Sequence, residues 1–178
     1  MRSVETGRPT AAEYAPHFEK YLVLVPEHEI VPVLEGQKQE VARALSIISE
    51  AQAGYRYAEG KWSIRQVVGH LVDTERIFGY RALCVARGEQ GPLPGFDENQ
   101  YVVNARFDSI PLGELIRELE IVREGNVGLF RHLGAEEWGR VGTANGKAVS
   151  VRALAFVMAG HVRHHLGIVA ERYVPLAR

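Results

Sequence analysis

From Ser150 to Arg172 the chain reads SVRALAFVMAGHVRHHLGIVAER. Leu154, Met158, His161, His165, Ile168 and Arg172 recur at three- and four-residue steps, so one stripe of a long amphipathic helix carries both apolar side chains and two imidazoles. Working outward, Leu112, Leu115, Leu119, Val122, Asn126, Leu129 and Leu133 alternate threes and fours and predict another helix beginning near Pro111. Gly113, Gly125 and Gly128 lower its intrinsic propensity, so packing must hold it. Ser63 followed by Gln66 is a capping box that opens a helix with Ile64, Val67, Leu71, Phe78 and Val85 on its stripe, ending before Gly88. Ile30, Leu34, Gln37, Val41, Leu45 and Ile48 mark the first, with Pro32 in its opening turn. Four such helices and no strand-like alternation predict an all-α four-helix bundle.

The connections are uneven. Residues 49–62 and 88–110 are long enough to allow a topology other than simple up-and-down. The second should hold a short helical turn near Asn99–Asn104, and its Tyr101, Asn104 and Arg106 could line a site. Glycines 139, 142 and 146 read as turn chemistry closing off the third helix. Pro9, Pro16 and Pro26 interrupt the first 25 residues, which read as an N-terminal arm packing onto a single domain spanning 1–178.

Composition narrows the function. The 178 residues are enough for one sizeable core, 46% are hydrophobic, and the 24% that are charged balance to a formal net charge of -1. A concentrated basic footprint is missing, which argues against nucleic acid as a partner. The single cysteine, Cys84, cannot form an internal disulfide, and its alanine- and leucine-containing surroundings favour a small buried hydrophobe over a reactive thiol. The N-terminus has no apolar signal-peptide core, and no run approaches 18 uninterrupted apolar residues, so neither secretion nor a membrane span is expected and a cytoplasmic location follows by default.

The histidines carry the chemistry. His161 and His165 share a helix face with Leu154, Met158 and Ile168, so both imidazoles should point into the bundle, where polar groups need partners. His164 can replace His165 as an i+3 partner of His161, and spacing leaves both pairs open. A third ligand should come from a facing helix, and His70 lies on a partly buried side of the second. Three imidazoles accept zinc, nickel, iron or copper and leave positions open for water or substrate. Hydrogen-bonded histidines at a helix seam are the alternative. The glutamate of H-E-x-x-H is missing, and no glutamate-x-x-histidine pair is duplicated on two helices. Gln37 and Asn126 interrupt apolar seams and could line a cavity above the metal or set helix register. Arg81, on the face of His70, Thr74 and Ile77, could receive an anionic substrate group or simply snorkel. Asp73 and Glu75 could orient an imidazole or form surface salt bridges. His17, His28 and His132 lie outside the pattern.

Two stretches resemble a known family. YAEGKWSIRQVVGHLVDTERIF (57–78) is similar to the entry into the second helix of the DinB-like superfamily, and GHVRHHLGI (160–168) to its fourth. The likeness runs through LPGFD (93–97) and covers nearly the whole chain. It implies an up-down-down-up bundle and one divalent metal ion on His70, His161 and His165, which sets His164 aside. Homodimers are common in the family, and its name, from DNA-damage induction, does not denote DNA binding. Relatives of known activity use low-molecular-weight thiols such as bacillithiol or mycothiol, as S-transferases or a maleylpyruvate isomerase. The resemblance thus points to an open three-histidine site that activates a thiol or water against a small-molecule substrate. Gln37, Arg81 and Asn126, singled out above by their helix positions, are the candidate positioning residues. A non-catalytic metal-binding bundle with a structural or stress-related role is the alternative, and a metal-free bundle kept for protein interaction is the third.

Overall fold

The computed structural model describes residues 6–174, so the first five residues of the expected arm lie outside it. Four long helices make the body: α2 (Ile30–Leu45), α4 (Ile64–Ala86), α6 (Leu112–Arg131) and α8 (Val151–Ile168). Short helices α1 (Glu19–Leu22), α3 (Glu50–Ala53), α5 (Glu98–Asn104) and α7 (Ala135–Gly139) lie in the arm and the connections. The Ser63 capping box is formed on both sides, with Ser63 Oγ accepting from the Gln66 backbone and Gln66 Oε1 from that of Ser63. Ser150 caps α8 in the same way by accepting from Ala153 N–H. Gly88, just past α4, adopts the left-handed φ of +86° that favours glycine at a helix C-terminus.

α4 packs on both α6 and α8, and α2 packs on the same two. Across α2 and α6, Glu35 meets Arg131 and Gln37 meets Arg123. Across α4 and α8 His70 meets His161, and just before α4 Trp62 meets Tyr173 of the turn that follows α8. Two apolar clusters fill the bundle. One takes Ile30 and Leu34, Phe78 to Ala86, Val127 to Leu133 and Val151 to Ala159; the other takes Val41 and Leu45, Ile64 to Val72, Leu112 to Leu119, and Val162 to Tyr173. Near the junction of the two clusters every long helix carries buried polar side chains: Gln37, His70 with Thr74 and Glu75, Arg123, and His161. A polar layer therefore crosses the middle of the bundle.

By length and composition alone, Val151–Tyr173 (mean hydropathy 1.2) would also qualify as a membrane span, although no uninterrupted apolar run signals one. In this fold 61% of its apolar window is buried inside the bundle, the condition of a core helix hydrophobic nearly all round. It runs on into a π-helical turn, Val169–Tyr173.

The all-α four-helix bundle core is as expected, and to it is added one short hairpin that no strand alternation signals. Val141–Ala144 (β1) and Lys147–Ser150 (β2) form an antiparallel hairpin in register Val141 with Ser150 and Ala144 with Lys147. Its two-residue turn is Asn145-Gly146, at φ +50° and +69°, the left-handed pair that a tight primed turn requires. Leu93 adds to its edge: its N–H donates to Thr143 O at 2.8 Å and its carbonyl accepts from Asn145 N–H at 3.0 Å. The 88–97 connection is thereby tied to the hairpin.

The arm is held against α8. Arg163 makes a two-pronged ion pair with Glu27 and also donates to Leu24 O. Gly160 lets the backbone of Tyr21 approach so closely that an added Cβ would collide with the Tyr21 carbonyl. Gly160→Ala is therefore expected to destabilise the protein by about 1–3 kcal/mol, the usual cost of overpacking. Urea unfolding checks this, and an unchanged midpoint would refute the close approach.

Candidate metal centre

α4 and α8 bring three imidazoles to one point in the polar layer. His70 Nε2 and His165 Nε2 each lie 3.0 Å from His161 Nε2, and one ligand atom from each of the three falls within 4.8 Å of the others. His70 and His161 are buried and His165 is half-buried. Among the described residues no fourth histidine, cysteine or carboxylate joins the group. Such a set can hold a divalent ion and leave coordination positions open, whereas structural zinc sites close with four protein ligands.

Electrostatics suit the same role. Burial pushes His70 down to about 4, with Glu98 pulling the other way. Burial, reinforced by His70 and His164, pushes His165 down to about 3. Burial and then the two neighbouring imidazoles drive His161 well below its ordinary value. All three rings are neutral at neutral pH and offer lone pairs rather than protons. His70 Nδ1 lies 3.4 Å from Thr74 Oγ1. With Nδ1–H donating to that hydroxyl, the lone pair of His70 falls on Nε2, where the three rings converge. Thr74→Val, nearly isosteric, is expected to weaken metal affinity about tenfold and leave folding intact. Competition titration against a chromophoric chelator checks this, and equal affinities would remove the orienting role.

The triad opens on a cavity of about 370 Å³. Trp62 lies against His70 with ring centroids 4.9 Å apart, and Tyr21 sets its edge to both His161 and His164, at 5.2 and 5.3 Å. Phe18, Phe78 and Phe96 continue the aromatic wall. Lys20, Arg81 and Lys147 also line it, against the single carboxylate of Glu98. Arg81 and Phe96 further form a wall shared with a second cavity of about 250 Å³.

The sequence candidates separate in space. Arg81 reaches the cavity, and His164 sits at its rim, half-buried and outside the triad. Gln37 and Asn126 lie away from it, bonded into a network around Glu75 and Arg123: Gln37 Oε1 accepts from Arg123 Nη1 at 2.6 Å, and Asn126 Nδ2 donates to Glu75 Oε1 at 2.9 Å. Of the two roles read for this pair, the contacts are those of register rather than cavity lining. Glu75 forms a buried ion pair with Arg123 rather than a surface one or an imidazole contact, and Asp73 is placed beside Arg76 at 3.9 Å. Tyr101, Asn104 and Arg106 do not line the main cavity; Phe96 and Glu98 do so from the same connection. Cys84 is half-buried against the core and outside the cavity. Trp62, Tyr21 and Phe96 had no signal in spacing, because each comes from a segment without helical period.

Known proteins share this bundle. The sequence model of the DinB superfamily matches residues 34–169. A protein provisionally named metal-dependent hydrolase OB0413, from Oceanobacillus iheyensis, is 28% identical over 142 residues, covering 78% of this chain and 80% of its own. Among solved structures, YfiT from Bacillus subtilis, described as a probable metal-dependent hydrolase with an unusual four-helix bundle topology, gives a TM-score of 0.77 at 17% identity over 96% of this chain and 93% of its own. The mycothiol-dependent maleylpyruvate isomerase gives 0.66 at 17% identity, over 82% of this chain and 61% of its own. At such identities the two structures show a shared fold.

Proposed function

The chain belongs to the DinB superfamily, and from that premise we propose that it is a metal-dependent enzyme acting on a small electrophilic substrate with a low-molecular-weight thiol or water as nucleophile. His70, His161 and His165 would hold one divalent ion, zinc, nickel or iron. The observation that carries the reading is the open set of three neutral imidazoles facing a cavity large enough for a small molecule. A bound ion there supplies a Lewis acid that lowers the pKa of a thiol or water. Trp62 and Tyr21 cover the imidazoles and limit bulk water. We assign to Glu98, the carboxylate on the cavity wall, the proton that the nucleophile gives up. Support for the thiol comes from the mycothiol-dependent isomerase, and support for water from the relatives named as hydrolases.

The same reading includes a single domain with an up-down-down-up course. Its support is that the starts of α2 and α8 (Ile30, Leu34; Val151, Leu154) share one cluster with the ends of α4 and α6 (Phe78, Val85; Val127, Phe130). The test is elemental analysis of protein purified without added metal, followed by cobalt(II) substitution and titration with cysteine and with cysteine methyl ester. About one metal per chain with a thiol-dependent cobalt spectrum supports the transferase form. A spectrum blind to thiols but sensitive to pH favours hydrolysis, and no metal uptake would sink the proposal.

A further inference from the structure

Two arginines are buried among the described residues, and of these only one has a counter-charge there. Arg123 is clamped by both oxygens of Glu75. Arg81, 5% exposed, has no acidic partner within ion-pair distance among the described residues. Its one hydrogen bond donates from Nη2 to Pro94 O at 2.7 Å. The guanidinium carbon lies 5.6 Å from the Phe78 ring centroid and 5.7 Å from that of Phe96, so two aromatic rings flank it. None of its remaining nitrogens is both sealed and without a partner, and Arg81 lines the main cavity as well as the second one beside it. A buried cation is ordinarily matched by an anion, and arginine does not escape the cost by deprotonating. We infer that Arg81 is the anion-binding end of the cavity and takes the carboxylate of a small organic acid whose other end reaches the three histidines.

The choice of carboxylate follows from the flanking groups. A planar fork between two aromatic rings matches a planar monoanion, while a phosphate would call for more donors than one guanidinium with a bond already committed. The span follows from Phe78, whose ring also lies 6.4 Å from that of His161, so one side chain bridges the arginine and the triad. Lys20 and Lys147 on the cavity wall add positive potential along the way. This inference rests on the metal-centre reading for what happens to the acid, but not for its binding.

Calorimetric titration with benzoate, benzamide and inorganic phosphate tests it, on protein as purified and after chelator treatment, with metal content measured on each sample. Chelated wild-type protein is expected to bind benzoate at least tenfold more tightly than benzamide, since no metal is then present to hold the carboxylate. Arg81→Met should lose that preference and Arg81→Lys should keep part of it. Equal affinity for benzoate and benzamide in wild-type protein would overturn the inference without any variant having to fold, as would Arg81→Met binding benzoate like the wild type. Phosphate binding as tightly as benzoate would overturn the assignment to carboxylates. A benzoate preference in protein that never takes up metal would leave Arg81 standing and remove the metal reading; bound metal without the preference would do the reverse.

Discussion

His161→Ala protein is expected to come through purification with less than about a tenth of the wild-type metal content, and to bind zinc about a thousandfold more weakly, roughly 4 kcal/mol. His161 is the central member of the triad, since its Nε2 lies 3.0 Å from the Nε2 atoms of both partners. Removing it leaves two ligands with no third in reach among the described residues. Metal binds the native state and stabilises it by mass action, so the difference in Tm between metal-loaded and chelated wild-type protein should vanish in the variant. Acid adds a second readout in chelated protein. The triad imidazoles titrate at 6.5 when unfolded, while His70 and His165 titrate at about 4 and about 3 in the fold. Between those limits the unfolded chain binds more protons, so stability is unaffected above 6.5 and falls as pH drops below it. From pH 7 to pH 5 the loss is roughly 2 kcal/mol for each of His70 and His165; His161 is shifted in the same direction, so chelated His161→Ala, with one imidazole fewer, should show the shallower slope. Retained metal would refute the triad; equal slopes would refute the burial argument.

How much of this was legible depends on period. The helix starts at Ser63 and Ser150, the stripe on α2 and the imidazole pair on α8 follow from side chains repeating along a regular rod. The middle of α6 shows where that logic slips. Leu112, Leu115, Leu119, Val122, Asn126, Leu129 and Leu133 keep a seven-residue repeat, but a straight α-helix drifts against that repeat by about 20° per heptad. By the third turn the buried face has moved one residue on, to Arg123, Val127 and Phe130, leaving Val122, Asn126 and Leu129 at its margin. A charged residue thus enters the core that a heptad reading places outside. The hairpin was missed because four-residue strands are too short to show alternation, although Asn145-Gly146 was its signal. The cavity walls escaped for another reason: Tyr21, Trp62 and Phe96 come from the arm and the connections, and meet only through tertiary packing.

That drift sets up the largest stability effect. Arg123 and Glu75, 3% and 2% exposed at their side chains, pair through Nε to Oε1 at 2.7 Å and Nη2 to Oε2 at 2.8 Å. Gln37 accepts from Arg123 and donates to Ala159 O at 2.8 Å, so one network joins all four long helices. Arg123→Met strands a buried carboxylate, and Glu75→Leu strands a buried guanidinium; each is expected to cost about 3–5 kcal/mol in urea unfolding. Glu75→Leu/Arg123→Met removes both charges together and should return to within about 1 kcal/mol of the wild type, so the two single costs do not add. Single variants costing less than about 1 kcal/mol would show that water reaches the pair and that its burial is not what the geometry indicates. Metal affinity in the double variant then separates stability from placement. Ala159 is two residues before His161, and Glu75 five after His70, so the network fixes the register of α8 against α4 that brings the imidazoles together. If the charges act through that register, the double variant will be nearly as stable as wild type yet bind metal less tightly; if apolar packing alone sets it, stability and affinity will return together.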